Sequence, residues 1–414
     1  MHDGKENLDS MKDIVDVCIV GAGLSGAYAA HELLAIGKSV SVLDARNRIG
    51  GRLLTAEEQG GGDLGGAWIW PKSEYAMQQF LEKINVKTVP MYLDGETMAR
   101  TADGQRHVLP SGEAARYAAC GGGAVRVRGG AASMVQKLLR DDDDSKKLSI
   151  LLGMRVVRVE HGGGVIKISF ATSESSAYGC ETSEIKCRAA ILAAPPKVLA
   201  NTIEFHPPLP RSKVESMIAT PTWMEDYGKV SASFPRSWWR EFNMSAISID
   251  QIGAVSTWWE ACSGDDGDGT SPTLAGFVTA NGAKALNKME NAEALHDYVI
   301  GTLNNLYGVD AFTMGMHKVK ADVTTKGFTG EEGLVVSKGG VTITYKSWLE
   351  DPYTKNSGKH IIKDYPREYG DRYLQQNTGS IFFAGTEVAK GSGHMEGAII
   401  AAQRAVSDVT QYLN

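Results

Sequence analysis

The sequence lacks any apolar run approaching the roughly 18 residues that a membrane-spanning helix needs. One mainly apolar stretch is residues 397–402, and the polar residues Gln403 and Arg404 follow it. Residues 1–7 are polar, and no apolar signal core precedes the first predicted strand. We therefore expect a cytoplasmic protein without a membrane span, while targeting to an organelle stays open.

The sequence also lacks an excess of positive charge. Its 414 residues carry 43 lysines and arginines against 49 aspartates and glutamates, a formal net charge of −6 at pH 7. Nucleic acids and anionic membrane surfaces attract basic proteins, so neither is an expected partner. Apolar residues make up 43% of the chain, which is enough for a large core, and the length suggests two or three domains.

Cysteine is scarce, and its distribution favours a reducing compartment over a disulfide framework. The five cysteines are scattered, odd in number and never spaced as C-x-x-C. Cys18, inside the first predicted strand, is interpreted as a buried free thiol. The acidic run 141–144 would need further ligands to bind a metal, so we interpret it as a solvated turn and predict no metal site.

Glycine, by contrast, is abundant, and its clearest cluster follows an apolar run. Residues 13–20 predict a buried parallel strand, residues 21–26 form G-x-G-x-x-G, and a helix is predicted from about residue 24 to residue 36. Such a turn lets the backbone approach a pyrophosphate at a helix N-terminus. A second predicted strand ends in Asp44, an acid suited to a ribose hydroxyl. The pattern predicts a bound adenine dinucleotide, and a glycine turn that binds nothing is the alternative.

Two more glycine clusters follow. Paired glycines at 50 and 51 are flanked by arginines, which provides a second backbone approach to phosphate with guanidinium charge to pair it. Residues 60–70 contain five glycines and two tryptophans. So many glycines lose conformational entropy on folding unless the backbone passes close to another group or adopts positive φ.

Together with a fourth block near the end of the chain, these clusters resemble the flavin-containing amine oxidase superfamily, to which monoamine, polyamine and L-amino-acid oxidases belong. The blocks are residues 21–26 with Asp44, residues 46–52, residues 63–68, and residues 381–387 running on to 393–398. Their wide separation along the chain argues against coincidence.

The resemblance implies an α/β fold. A Rossmann-like FAD-binding domain of the glutathione-reductase-like type would be interleaved with a substrate domain of mixed sheet plus helices. The FAD-binding domain would comprise residues 1–71, 129–215 and 345–414, and the substrate domain residues 72–128 and 216–344.

Apolar periodicity predicts further elements along the chain. Helices are expected over residues 73–84 and 292–307. A hairpin is predicted to end with a strand at residues 180–187, followed by a separate buried strand at residues 189–194. Another strand is predicted at residues 315–322.

The resemblance implies that FAD contacts the glycine-rich backbone and residues near both ends of the chain. The implied contacts are Gly21, Gly23, Leu24, Ser25, Gly26, Asp44, Ala45, Arg46, Gly51, Arg52, Gly65, Gly66, Ala67, Trp68, Val156, Trp348, Gly385, Glu387 and Met395. Some members of the family link the flavin to a cysteine shortly after the tryptophan that Trp348 matches. Residues 349–362 contain no cysteine, so noncovalent FAD is expected.

Two residues are implied to be catalytic by their positions in the family pattern. Lys229 matches a lysine that holds a water under the reactive ring nitrogen of the flavin, whereas most lysines at a strand start are solvated. His394 stands where several members place a tyrosine of an aromatic cage for the amine. It could orient an amine, accept a proton or contact an acidic substituent, and a core histidine satisfied by the backbone is the alternative. Trp70 and Tyr353, with His394, are candidate walls of the substrate pocket.

The resemblance implies an FAD-dependent oxidase that takes hydride from the α-carbon of a small amine. The products would be an imine, which hydrolyses to a carbonyl compound, and hydrogen peroxide from dioxygen. An L-amino-acid oxidase is an alternative, and it needs an arginine for the substrate carboxylate; Arg100, Arg106 and Arg116 are candidates. A flavin-dependent desaturase or cyclising oxidase of a biosynthetic pathway and a purely structural role for FAD are the others. A homodimer is compatible with all of them.

Overall fold

The computed structural model describes residues 14–56, 62–110, 112–113, 121, 123–140, 147–172, 182–261, 271–308, 324–329, 333–355, 362, 365–391 and 393–414. The helices are α1 Leu24–Ala35, α2 Tyr75–Lys83, α3 Ala132–Arg140, α4 Pro196–Thr202, α5 Arg211–Ala219, α6 Trp238–Glu241, α7 Ala280–Leu286, α8 Ala292–Tyr307, α9 Arg372–Gln375 and α10 Met395–Leu413. Among these elements, none combines the length and the apolar character needed to cross a membrane.

The strands occur singly or in groups between these helices. They are β1 Val15–Val20, β2 Val40–Leu43, β3 Trp68–Ile69, β4 Thr88–Pro90, β5 Glu96–Arg100, β6 Arg106–Leu109, β7 Val125–Val127, β8 Leu148–Leu151, β9 Met154–Glu160, β10 Ile166–Thr172, β11 Ser183–Leu192, β12 Glu204–His206, β13 Gly228–Ser233, β14 Met244–Asp250, β15 Val255–Glu260, β16 Thr273–Val278, β17 Thr324–Thr329, β18 Gly333–Lys338, β19 Val341–Ser347 and β20 Ile381–Phe383.

An eight-stranded sheet carries the glycine turn. Its order is β12-β9-β10-β11-β1-β2-β8, and β20 pairs with β11. β1 lies parallel to both β2 and β11, and its last four residues are buried. Because β1, β2, β11 and β20 are parallel in this sheet, their carboxyl ends share one edge, where α/β proteins place ligands.

The second strand of the predicted hairpin and the predicted buried strand after it are one continuous strand, β11. Its first half alternates between exposed and buried residues, and its last four residues are all buried. The change occurs because β11 pairs first with β10 on one side, from Ser183 to Cys187, and then with β20 on the same side, from Ala190 to Leu192. The C-terminal helix α10 packs against β11, and the strand is buried where it pairs with β20, so one strand shows two patterns of burial.

A nine-stranded sheet forms the second part of the fold, in the order β17-β18-β19-β13-β16-β15-β14-β5-β6. Its interior strand β13 is antiparallel to β16 and β19, and all six of its residues are buried. α8 packs against β18 and β5 and buries Leu295, Val299 and Leu303 in the core beside this sheet.

The two large sheets draw their strands from different parts of the chain. Those of the eight-stranded sheet fall within residues 1–71, 129–215 and 345–414. Residue 345 lies inside β19, which pairs with β13 as far as Ser347. We therefore predict that the last FAD-binding segment begins after Ser347.

A small sheet, β3-β7-β4, connects the two parts. Trp68 of β3 packs edge-to-face against Trp259 of β15, with ring centroids 4.6 Å apart. The two residues share a buried cluster with Ala261 and Ala275 of the second sheet region. The glycine block before β3 is thereby held between the two large sheets.

Three of the predictions lie outside the described residues. They concern the strand at residues 315–322, the acidic turn at residues 141–144 and the position of Arg116.

Candidate active site

A cavity of about 800 Å³ extends between the two large sheets. One part of its wall is the glycine turn after β1, and another is the start of β13 with Lys229. His394, at the N-terminus of α10, also lines the cavity. The cavity therefore brings together segments from the beginning, the middle and the end of the chain.

The glycine turn after β1 has the close backbone contacts that its sequence predicts. Gly21 has a φ of +111°, and a Cβ there would lie 2.8 Å from the carbonyl oxygen of Ala193. A Cβ at Gly26 would lie 1.9 Å from the carbonyl oxygen of Gly21, so only glycine lets α1 approach the turn this closely. Gly26 does not line the cavity; its role is this helix-to-turn packing.

Asp44 fixes the turn from the neighbouring strand. Its Oδ2 accepts the backbone N–H of Ala22 at 2.7 Å, and its Oδ1 accepts the N–H of Arg46 at 2.8 Å. Each carboxylate oxygen can accept more than one hydrogen bond, so these bonds leave capacity for a ligand hydroxyl in the cavity. The side chain is buried and lines the cavity, as expected for a ribose contact.

Arg46 connects this region to the segment after β19. One of its terminal nitrogens donates to Asp351 at 2.5 Å and to Thr354 at 3.0 Å, and Lys346 donates to the other carboxylate oxygen at 2.9 Å. Burial alone would raise the pKa of Asp351, but the charges of Arg46 and Lys346 outweigh it and hold that pKa below its usual value. The guanidinium lies 5.4 Å from the ring centroid of Tyr353.

This contact defines the surroundings of Tyr353. The residue lines the cavity with its ring beside Arg46, and Trp70 and His394, which stack on each other, line the same cavity. The sequence could not show the contact with Arg46, because the Arg46–Asp351 pair joins segments that are about 300 residues apart. The place of Tyr353 in the substrate pocket stays a prediction.

Glu387 needs correction as an expected FAD contact. Both of its carboxylate oxygens receive bonds from Arg52, at 2.6 and 3.0 Å, and Oε1 also accepts the backbone N–H of Trp223 at 2.9 Å. The side chain is fully buried and does not line the cavity. It holds Arg52, which does line the cavity, so its contribution to a ligand is indirect.

The other residues expected to contact FAD all line this cavity. Ser25 also connects the glycine turn to two segments near the other end of the sequence. Its hydroxyl donates to the carbonyl of Ala398 at 2.8 Å and accepts the N–H of Gly385 at 3.0 Å. Trp348 is held by a bond from Nε1 to the carbonyl of Leu64, at 2.8 Å.

Lys229 lies among three aromatic rings, in the part of the cavity wall that the start of β13 forms. Its Nζ donates to the carbonyl of Gly65 at 2.5 Å. It lies 5.0 Å from the ring centroids of both Trp259 and Phe277, and 5.8 Å from that of Trp68. The π faces of such rings attract a cation, and they also exclude water from it.

Burial lowers the pKa of Lys229 to about 8, although the charge of Asp63 acts in the opposite direction. The residue is 5% exposed. Near neutral pH its ammonium group is therefore charged but close to its titration. Such a buried cation can stabilise negative charge that develops beside it.

His394 is held by contacts on three sides. Its Nδ1 lies 2.9 Å from a carboxylate oxygen of Glu74. Its ring stacks on Trp70 with 5.0 Å between centroids and 22° between planes, and the ring of Trp223 approaches at 5.7 Å with an interplanar angle of 63°. The alternative of a core histidine satisfied by the backbone does not fit these contacts, because its ring partners are a carboxylate and two tryptophans.

Sequence reasoning missed three residues of this region. Glu74 was treated as part of a helix, and Trp223 and Phe277 had no assigned role. An acidic residue directly before α2 is a weak signal, because acids are common at helix N-termini for stability alone. The positions of Trp223 and Phe277 in the cavity wall depend on tertiary packing that periodicity does not report.

A sequence profile described as flavin containing amine oxidoreductase matches residues 113–410, well over half of the chain. This chain belongs to that family. A second profile, of an NAD(P)-binding Rossmann-like domain, matches residues 19–84, which include the glycine turn and Asp44.

Named relatives and solved structures agree with the membership. Flavin-containing amine oxidase B of Bos taurus is 25% identical, over 96% of this chain and 86% of that protein. Putrescine oxidase of Kocuria rosea is 36% identical, over only 24% of this chain and 22% of that protein. The structure of cyclohexylamine oxidase from Brevibacterium oxydans has a TM-score of 0.70 at 19% identity, covering 97% of this chain and all of that one, which shows a shared fold.

This flavin-containing amine oxidoreductase is an oxidoreductase whose cofactor is FAD, and its cavity fits that group. The two glycine loops meet backbone to backbone, since Gly50 donates to the carbonyl of Ala22 at 2.9 Å and a Cβ at Gly51 would lie 3.1 Å from the Cα of Gly23. Among the described residues, Nε of Arg46 is buried without a hydrogen-bond partner, and that side chain lines the cavity. A phosphate oxygen would satisfy such a group.

Proposed function

We propose that this flavin-containing amine oxidoreductase is an oxidase of a small amine, with FAD bound noncovalently by the residues that line the cavity. When bound, FAD accepts the two electrons and the hydrogen that leave the α-carbon of the amine. The product imine hydrolyses to a carbonyl compound, and dioxygen is reduced to hydrogen peroxide. The observation that carries the proposal is the cavity itself, in which Lys229 and His394 line one space with the dinucleotide-binding turn.

Lys229 is proposed to act on the oxygen side of the reaction. Its ammonium group has three N–H donors, and the carbonyls of Gly65 and Asp63, at 2.5 and 3.4 Å, use two of them. The remaining donor can hold a water. A positive charge in an aromatic, water-poor box favours the negative charge that forms when dioxygen accepts electrons.

Trp70, Trp223 and His394 are proposed to bind the amine. Trp70 stacks on the ring of His394, and Trp223 approaches the same ring edge-to-face. Aromatic groups therefore lie on two sides of His394, at the N-terminus of α10. Aromatic faces attract ammonium groups and also offer the apolar surroundings in which a neutral amine is favoured. A neutral amine is needed because its lone pair assists the loss of hydride.

The positions of Arg100 and Arg106 argue against the amino-acid oxidase alternative. Arg100 binds Asp250 with two bonds, at 3.0 and 2.5 Å, and does not line the cavity. Arg106 is exposed on β6 and does not line it either. Within the described part of the chain, neither arginine proposed for a substrate carboxylate is therefore positioned to bind one.

A peroxide-coupled screen of amines against L-amino acids tests the proposal. We expect peroxide from one or more small amines and little from amino acids, with catalase abolishing the signal as a control. The same amines should bleach the flavin under anaerobic conditions. Peroxide from amino acids alone would contradict the proposal, and a protein that retains FAD but is silent with both sets would favour the biosynthetic desaturase or cyclising oxidase.

A further inference from the structure

A carboxylate with no assigned role lies directly behind His394. Glu74 immediately precedes α2, and the residue is 5% exposed. We propose that Glu74 is a positioning residue that makes His394 the acceptor of the proton lost by the substrate ammonium group. The inference rests on the proposed amine oxidation and adds to it how the amine becomes neutral.

The two carboxylate oxygens of Glu74 hold different groups. Oε1 lies 2.9 Å from Nδ1 of His394, and Oε2 accepts the backbone N–H of Trp70 at 2.9 Å. The Trp70 bond fixes the carboxylate from the side opposite to the imidazole. An ionised carboxylate only accepts hydrogen bonds, so Nδ1 must carry a hydrogen, and in the neutral ring the lone pair is then on Nε2.

The ring plane of His394 is fixed as well as its tautomer. The Trp70 indole that stacks on it is itself held by a bond from its Nε1 to the carbonyl of Gly121, at 2.8 Å. Within the described residues no group bonds Nε2, and the side chain is 31% exposed and lines the cavity. A basic nitrogen of defined direction is therefore available to a ligand there.

The other charged groups on the elements around the ring, or across the cavity from it, each have partners of their own. They are Glu396, Arg52, Glu387, Asp226 and Lys229. Glu396 is the nearest of them along the chain, and it accepts the N–H groups of Ala76 and Met77 at 3.0 and 2.6 Å. Glu74 is thus the carboxylate that bonds the imidazole, while Glu396 joins α10 to the N-terminus of α2.

The proposed step moves one proton and no electrons. An N–H bond of the substrate ammonium breaks, and an N–H bond forms at Nε2 of His394. The imidazolium is then stabilised by the carboxylate of Glu74 and by the face of Trp70. Because the His394 side chain is partly exposed, the proton can leave to water before the next turnover.

Two substrates of different basicity test this step in Glu74→Gln. One is an ordinary alkylamine that the wild type oxidises, and the other is its β,β-difluorinated analogue, of which about half is already neutral near pH 7.5. Anaerobic flavin reduction is measured in the holoenzyme. We expect the rate with the ordinary amine to fall by about 10- to 100-fold relative to the wild type, and the rate with the fluorinated amine to change by less than about threefold. The deficit should shrink as pH rises, because the free amine becomes the main form in solution.

Glu396→Gln is the matched control, because it removes a carboxylate from the same junction without touching His394. It should show no difference between the two amines. Equal losses for both amines in Glu74→Gln, or no loss for either, would overturn the inference. If Glu74→Gln fails to retain FAD, the same comparison in His394→Gln decides the matter by the same criterion. A wild type whose flavin no amine reduces would instead refute the proposed function.

Discussion

Lys229 and Lys213 are both buried lysines, yet their nitrogen atoms have different partners. Nζ of Lys213 donates to the carbonyls of Tyr373, Leu374 and Gln376 at 2.7, 3.1 and 2.7 Å, so all three donors of its ammonium group are used. Nζ of Lys229 has two carbonyl partners and three aromatic rings. Donor capacity therefore separates a structural lysine from one that can act on a ligand or a water.

Lys229→Met should slow the reoxidation of reduced enzyme by dioxygen by about tenfold or more, because it removes the buried charge. The wild-type rate should fall as pH rises through about 8, where Lys229 loses its proton, and the variant should be insensitive over that range. Stopped-flow mixing of reduced enzyme with oxygenated buffer measures both.

Lys167→Met is a suitable control for this experiment, because that lysine is exposed on β10. It should reoxidise at the wild-type rate and keep the wild-type pH dependence. A Lys229→Met enzyme that reoxidises as fast as the control would remove this lysine from the oxygen reaction.

At the scale of single residues, most residues expected to contact FAD line the cavity, whereas the cations that Tyr353 and Glu387 contact were not predicted. Backbone-driven contacts, such as the one at Gly21, follow from local geometry and appear where expected. The roles of Tyr353 and Glu387 depend on which distant cation each meets. Arg46 and Arg52 meet them only after folding, so no local pattern could have assigned them.

At the scale of elements, the contact between α1 and the turn before it leaves no room for a side chain. Gly26→Ala should abolish FAD binding and lower the thermal midpoint, because its Cβ would lie 1.9 Å from a backbone oxygen that cannot move away cheaply. Flavin content after purification and a melting curve report the two effects.

Gly301→Ala provides the opposite expectation in another helix. Gly301 lies inside α8, and a Cβ there would meet no atom within 4 Å. The change should stabilise the protein by about 0.5 to 1 kcal/mol, since alanine is the better helix former. If Gly26→Ala lowers the stability of the protein and Gly301→Ala raises it, then the space around each glycine decides the effect on stability, and not the type of residue.

The attachment of α9 to α5 has its own pH dependence. Burial lowers the pKa of Lys213 to about 7 in the folded protein, against an ordinary value of about 10.4 in the unfolded chain. Between those values the unfolded chain binds the extra proton, so the lysine destabilises the fold most below pH 7 and less as pH rises. The stability of the wild type relative to Lys213→Met should therefore increase between pH 7 and 9, as thermal melts at several pH values would show. A constant difference would refute this account.

Sequence patterns located most elements because their apolar periods are regular, as in α8, which has the predicted bounds. They divided β11 wrongly, since its burial changes where the neighbouring strand changes from β10 to β20. The division of the chain between two large sheets followed from the family resemblance and not from any local pattern.

At the scale of the whole molecule, residues from both large sheets form the cavity wall. A bound cofactor should therefore contact both sheets and hold them together. FAD at about 100 times its Kd should stabilise the apoprotein by about 2.7 kcal/mol. FMN lacks the adenylate that the region of Asp44 and Val156 is expected to hold, so it should stabilise far less. Melting curves of the apoprotein with each flavin test this, and equal shifts would place the dinucleotide elsewhere.

The hydroxyl of Ser25 bonds two groups that lie some 360 and 373 positions later in the chain. During synthesis on the ribosome, the glycine turn is made long before its partners at Gly385 and Ala398, which emerge only after some 360 further residues have been added. A nascent chain that still lacks them has an incomplete cradle for the cofactor. Flavin loading should therefore wait until residue 398 has been made and folded, and the cellular supply of FAD at that moment should determine how much of the newly made enzyme becomes active.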